Sequence, residues 1–105
     1  MRLRKEVSEM PEEEIQLIAQ VSDALAHPAR IKIYRYIMKQ NKERISVCNK
    51  DVVAAFPYSQ ATISQHIKKL VDAKLIEVRN VDKFSMYYAN FGVLFKYLDA
   101  TKKFE

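Results

Sequence analysis

The sequence has one glycine, one cysteine, two histidines, three prolines and no tryptophan in 105 residues. A single glycine leaves no room for the glycine-rich loops whose backbone amides cradle nucleotide phosphates. One cysteine excludes an intramolecular disulfide framework, and neither histidine has a carboxylate at a spacing that would place a catalytic pair or triad. No apolar run is long enough to span a bilayer or to serve as a signal peptide. The expectation is a soluble, cytoplasmic protein that is not an enzyme, needs no cofactor and has no membrane partner. Low glycine and proline against abundant Ile, Leu, Val and Lys also argue against disorder.

What is present is positive charge, and it is unevenly placed. Eighteen Lys and Arg against thirteen Asp and Glu give +5. Residues 1–25 hold six of the acids (Glu6, Glu9, Glu12, Glu13, Glu14, Asp23) and three of the bases (Arg2, Arg4, Lys5), leaving fifteen bases against seven acids, +8, in the other eighty. Such an excess favours a polyanionic partner without choosing among nucleic acid, an acidic protein and a membrane surface.

A chain of this length makes one domain, here residues 11–105 behind a flexible segment 1–10. Each proline marks a helix boundary: Pro11 opens a helix whose first turn carries Glu12, Glu13 and Glu14, Pro28 opens one running to about Gln40, and Pro57 closes off a short third helix. In the second helix Ile31, Ile33, Tyr34, Ile37 and Met38 form the expected buried face. Arg30 projects towards that face and needs a carboxylate or carbonyl partner there. Lys32, Arg35 and Lys39 lie opposite, either as a solvated surface or as phosphate contacts. Ile45–Val47 is compatible with a short strand, and Asn49 is the expected cap of the short helix from Lys50 to Phe56.

The segment from Ser59 to Asp72 is the most informative. On a helical period Ile63, Ile67, Leu70 and Val71 share one arc, while Ala61, Thr62, Gln65, Lys68 and Lys69 fall largely on the other. Ser59 is a good cap for its first turn. Short polar groups at the leading end and lysines further along suit a helix that meets base edges and phosphates. Preceded by a short helix and a tight turn, it completes a helix-turn-helix pattern.

Beyond Asp72 the apolar period shortens. Leu75–Val81 and Phe84–Ala89 flank Asp82-Lys83 and predict a hairpin, a wing with Arg79 and Lys83 on or near its tip. Those cations either contact DNA or are simply solvated. Asn90 caps a last helix from Phe91 to about Lys103. The predicted class is mainly α with a small β-hairpin, a winged helix-turn-helix in the order α-α-(β)-α-α-β-β-α.

The first and last helices are apolar around more than half of their circumference, wider than a small monomer's surface helices require. One account is a homodimer through these terminal helices, with Ile15, Ile18, Val21 and Leu25 meeting Phe91, Leu94, Phe95 and Leu98 of a two-fold mate. The other is full burial of both helices within one subunit.

The runs Ala24-Leu25-Ala26-His27-Pro28-Ala29-Arg30-Ile31-Lys32-Ile33 and Ser59-Gln60-Ala61-Thr62-Ile63-Ser64-Gln65-His66-Ile67-Lys68-Lys69-Leu70, in this element order, closely resemble the ArsR/SmtB family of bacterial winged-helix repressors. The resemblance covers about residues 12–103. It implies a dimeric transcriptional repressor of double-stranded DNA, acting at an imperfect palindrome and released by a metal or other inducer. It also implies DNA contacts at Ser59, Gln60, Thr62, Ser64, Gln65 and His66. Helical geometry agrees best for Gln60, Thr62 and Gln65; Ser64 and His66 lie nearer the buried arc, where a structural or phosphate role competes. Ser59, Ser64, Lys68 and Lys69 are the candidate phosphate contacts.

The inducer is where the sequence departs from that family. The thiolate metal box, two cysteines separated by one residue, here reads Ser46-Val47-Cys48, and no histidine occurs from Asn90 to Glu105. No metal site of the usual kind is expected, because serine is a poor ligand for a soft ion, and the inducer stays unknown. Cys48 is either a small semi-apolar residue or, at a helix N-terminus beside Lys50, a redox switch. A different class also stays open: a winged helix used as a protein-interaction module on an acidic partner.

Overall fold

The computed structural model describes residues 10–105. Among these residues are five α-helices, α1 (Glu12–Ala24), α2 (Pro28–Lys42), α3 (Asn49–Ala55), α4 (Gln60–Asp72) and α5 (Phe91–Thr101), and three strands, β1 (Val47–Cys48), β2 (Ile76–Val81) and β3 (Phe84–Ala89). A short 3-10 turn, Lys102–Phe104, follows α5. Apart from Met10, the expected flexible segment lies outside the described residues.

Helix starts follow the local chemistry. His27 caps α2 through Nδ1, which accepts from the Ala29 amide at 3.1 Å, with Pro28 in the first turn. Ser59 Oγ accepts from the Thr62 amide at 3.2 Å, and Asn90 Oδ1 accepts from the Val93 amide at 3.2 Å. For α3 the cap is one residue earlier than expected: Cys48 is the capping residue, and its amide donates to the Asp51 carboxylate at 2.9 Å. Asn49 instead directs its side-chain amide towards Tyr87 Oη and Ser64 Oγ, at 3.4 and 3.5 Å.

Helix ends are handled without glycine. After α2 and α4 the chain turns through Arg44 (φ 63) and Lys74 (φ 64). In each case the next amide reaches back to a helix carbonyl, Ile45 to Gln40 at 2.9 Å and Leu75 to Leu70 at 3.0 Å. This is the left-handed termination that glycine normally fills, and a side chain there is strained by roughly 1–2 kcal/mol. Lys74→Gly is therefore expected to raise stability by about 1 kcal/mol, read as a higher urea midpoint at unchanged m-value.

The strands form one antiparallel sheet in the order β1-β3-β2. Val47 lies opposite Tyr87, Ile76 opposite Ala89 and Val81 opposite Phe84, so the hairpin turn is the two residues Asp82-Lys83. Asp82 takes φ 56, a conformation that aspartate tolerates better than most non-glycine residues.

The core gathers one face from each element: Val21 and Ala24 of α1, Ile33, Tyr34 and Ile37 of α2, Val52 of α3, Ile63, Ile67 and Leu70 of α4, with Val47, Leu75, Ile76 and Tyr87 closing it on the sheet side. Ile31, expected in the buried face of α2, is 43 % exposed. Arg30 finds the partners it needs at the end of α1: its Nε donates to the Ala24 carbonyl at 2.7 Å and Nη2 to the Asp23 carbonyl at 3.4 Å. The opposite side of α2 carries Lys32, Arg35, Lys39 and Lys42, all exposed.

The terminal helices pack on each other, joined by Ser22 Oγ to Tyr97 Oη at 3.0 Å and by a Lys103–Glu14 ion pair. That contact corrects one expected interface residue. Val21 is wholly enclosed within the subunit and offers nothing to a partner. Ile18, Leu25, Phe91 and Leu94 are half-buried. Ile15, Phe95 and Leu98 stay outside, at 40, 61 and 47 % exposure, with Phe104 beyond them at 75 %. The apolar surplus of α1 and α5 is thus divided, part of it internal and part facing solvent.

Candidate nucleic-acid interface

The outer face of α4 is what the fold presents. Ile63, Ile67 and Leu70 anchor the helix from below. Gln65 therefore stands at the pole of the opposite arc, among Ala61, Lys68, Lys69 and Asp72, all exposed. Gln60 and Ser64 are exposed as well, near the leading end. No element of the described chain covers this arc.

Two of the expected contacts are partly engaged already. Ser59 Oγ donates to Thr62 Oγ1 at 3.0 Å while accepting from its amide, so the pair is tied together, and Thr62 is half-buried. His66 is also half-buried, at the edge of the arc. Its ring centroid lies 4.7 Å from that of His27 and 6.3 Å from that of Tyr58. Partial burial, then the neighbouring His27, then Arg30, hold the His66 imidazole below the usual histidine range. Lys68 makes an ion pair with Asp72 at 3.1 Å in which both side chains are well exposed, a contact worth little in water.

Both wing cations lie in its outer half. Lys83 is at the tip, and Arg79 is opposite Met86, in the third pair from the turn. Its guanidinium lies 4.7 Å from the centroid of Tyr88 and 3.5 Å from a Glu77 carboxylate oxygen. The tip is flanked by Val81 and Phe84, 49 and 51 % exposed. Stacking on Tyr88 holds the Arg79 guanidinium along the strand, with the side chain still largely exposed.

Arg30 is the residue that sequence reasoning left out of the site. With Gln65, His66, Lys68, Lys69 and Asp72 it lines an open pocket of about 410 Å³ on the flank of α4. Its spacing gave it a structural role only, and nothing local indicated that the start of α2 would lie beside the middle of α4. Cys48 is half-buried at the head of α3, in register with Met86. Among the described residues, no three His, Cys, Asp or Glu side chains are grouped so as to hold a metal ion. No helix among them is long and apolar enough to cross a membrane.

The model of a helix-turn-helix domain family matches residues 25–79, just over half the chain, and the chain belongs to that family. Among solved structures, an ArsR-like transcriptional regulator from Rhodococcus sp. RHA1 superposes with a TM-score of 0.74 at 21 % identity, over 86 % of this chain and 80 % of that one. NolR from Sinorhizobium fredii matches with a TM-score of 0.67 at 24 % identity, over 99 % and 95 %. Mb0332 from Mycobacterium bovis, described as a homodimeric winged helix-turn-helix DNA-binding domain, matches with a TM-score of 0.66 at 18 % identity, over 84 % and 78 %. No curated protein sequence matches. The fold is thus an ArsR-like winged helix-turn-helix. The family is one of helix-turn-helix domains, and the fold is shared with solved proteins described as ArsR-like transcriptional regulators.

Proposed function

We propose that the protein is a dimeric repressor that reads a pseudo-palindromic operator. The observation carrying this is the uncovered outer arc of α4, with Gln65 at its pole and lysines beside it, on a chain whose last eighty residues carry the excess of positive charge. Pairing through the exposed parts of α1 and α5 would bury Ile15, Phe95 and Leu98 and set two copies of α4 in successive major grooves, about 34 Å apart. The homodimeric state given for the Mycobacterium bovis domain supports that arrangement.

Within each half-site Gln60, Thr62 and Gln65 read base edges. Ser59, Ser64, Lys68 and Lys69 hold phosphates, and Lys83 and Arg79 of the wing add flanking contacts. Blocking a promoter is the output.

The roles separate experimentally. Gln65→Ala should relax preference at one base pair of each half-site, a loss of about 1–3 kcal/mol of discrimination. Lys69→Ala should weaken specific and random duplexes alike and reduce the slope of log K against log salt by about 1 for each site lost. Fluorescence anisotropy with operator and scrambled duplexes over a salt series reads both. Equal loss of discrimination in the two variants contradicts the division. Binding without salt dependence contradicts DNA as the partner and favours docking on a protein.

A further inference from the structure

The chain's two histidines are 39 positions apart in sequence, yet their rings meet, with centroids 4.7 Å apart and planes inclined at 51°. His27 is held in place by its role as the cap of α2, where Nδ1 accepts from the Ala29 amide at 3.1 Å. A nitrogen that accepts carries no proton, so in the neutral ring the proton sits on Nε2, and an imidazolium there would forfeit the cap. Arg30, in the first turn of the same helix, is fixed by the Ala24 and Asp23 carbonyls. Those bonds use two of its five N–H groups.

The pocket that Arg30 and His66 border carries a net positive charge. Arg30, His66, Lys68 and Lys69 line it with Gln65, and the single acid among the lining residues, Asp72, is engaged by Lys68 at 3.1 Å. The pocket adjoins the outer arc of α4, where a duplex lying in register with Gln65 would bring its backbone past the helix flank.

We propose that this pocket seats one phosphate of the bound duplex, held by Arg30, Lys69 and His66, and that His66 takes up a proton from solvent as the phosphate enters. The inference rests on the reading of the chain as a DNA-binding protein and adds a proton to the binding equilibrium.

The groups facing His66 set the sign. His27 from the junction of α1 and α2, and Arg30 from α2, disfavour a cation on the ring of the free protein, as does its partial burial. Tyr58, from the turn before α4, contributes an uncharged ring edge. Lys68 and Lys69 on α4 add positive charge, Asp72 is engaged by Lys68, and Asp23 lies beyond, across the neighbouring cleft lined by Lys69 and Asp72. The free ring is thus biased towards its neutral form. A phosphodiester oxygen reverses the local field and accepts a charge-assisted hydrogen bond from the imidazolium. A group whose affinity for protons is higher in the complex than in the free protein makes binding tighter as pH falls between the two titration points and leaves it flat outside them.

The test is the affinity of the full chain for a selected duplex from about pH 8 to pH 5.5 at constant ionic strength, for wild type and for His66→Gln, with calorimetry in two buffers of different ionisation enthalpy to count protons. Wild type is expected to tighten by up to about tenfold per pH unit for each subunit engaged, so up to about a hundredfold for a dimer, over part of that range, taking up close to one proton per subunit. His66→Gln is expected to bind the same duplex with a nearly flat profile and no uptake. Duplex binding with the same pH dependence in wild type and His66→Gln overturns the inference alone. Absence of duplex binding by either protein overturns the regulator reading and the inference together.

Discussion

Phe95→Glu combined with Leu98→Glu is expected to yield a folded monomer whose operator affinity is lower by roughly two to four orders of magnitude. The two side chains are 61 and 47 % exposed, on the face of α5 turned away from the subunit core. Val93, Leu94 and Tyr97 hold the other face against that core and are untouched by the change. The monomer therefore keeps its packing. A two-fold interface, however, sets each new carboxylate near its own copy or against the apolar part of α1, where an unpaired charge has no partner. Losing the dimer removes the link that makes binding of the second half-site effectively intramolecular. Sedimentation gives the oligomeric state and anisotropy the affinity. A double variant that stays dimeric contradicts the placement of the interface. Val21→Glu is the instructive contrast: Val21 is enclosed within the subunit, so that change should unfold the protein instead of dissociating it.

Leu70→Ala should lower the free energy of unfolding by about 3–4 kcal/mol. Leu70 is fully buried in the last turn of α4, and its carbonyl also accepts the Leu75 amide that closes the helix. Truncation removes the transfer energy of the lost methyl groups and leaves a cavity in a core rich in Ile and Val, β-branched and confined in their rotamers, that refills poorly. Out of a total of about 5–15 kcal/mol for a domain of this size, that is a large share. Urea unfolding measures it. Gln65→Ala, on the opposite side of the same helix, should change stability by less than about 0.5 kcal/mol while altering base preference. The pair thus separates the scaffold face of α4 from its reading face, and comparable destabilisation by both would contradict that separation.

Which parts of this architecture were legible in advance follows from the range of the interactions. The starts of α2, α4 and α5 were readable because His27, Ser59 and Asn90 bond to amides two or three residues away. Helix ends were less so. With glycine absent from the left-handed positions, Arg44 and Lys74 terminate α2 and α4 with no compositional signal, and α2 runs to Lys42 instead of ending near Gln40. The head of α3 lies one residue before the position that the polar side chain of Asn49 indicates, because Asp51, reaching back to the Cys48 amide, supplies the capping contact.

The outward arc of α4 was visible in its period, since Ile63, Ile67 and Leu70 leave only one orientation that buries them all. Two features were not readable from periodicity: how the apolar girth of α1 divides between α5 and solvent, and the meeting of His27 with His66. Both depend on the angles at which helices pack, which local patterning does not encode. Ile31 shows the same limit, lying close enough to the apolar arc of α2 to be assigned to it, yet outside the seam that the neighbouring elements cover.

The most direct measurement is selection of bound duplexes by the full chain from a random pool at near-physiological salt. The expected result is an enriched inverted repeat with half-site centres about 10–10.5 base pairs apart, bound with an affinity that falls steeply as salt rises. A pool that returns no enriched motif, or a single unrepeated site bound equally well by the Gln65→Ala variant, would contradict a paired reader acting through the outer face of α4.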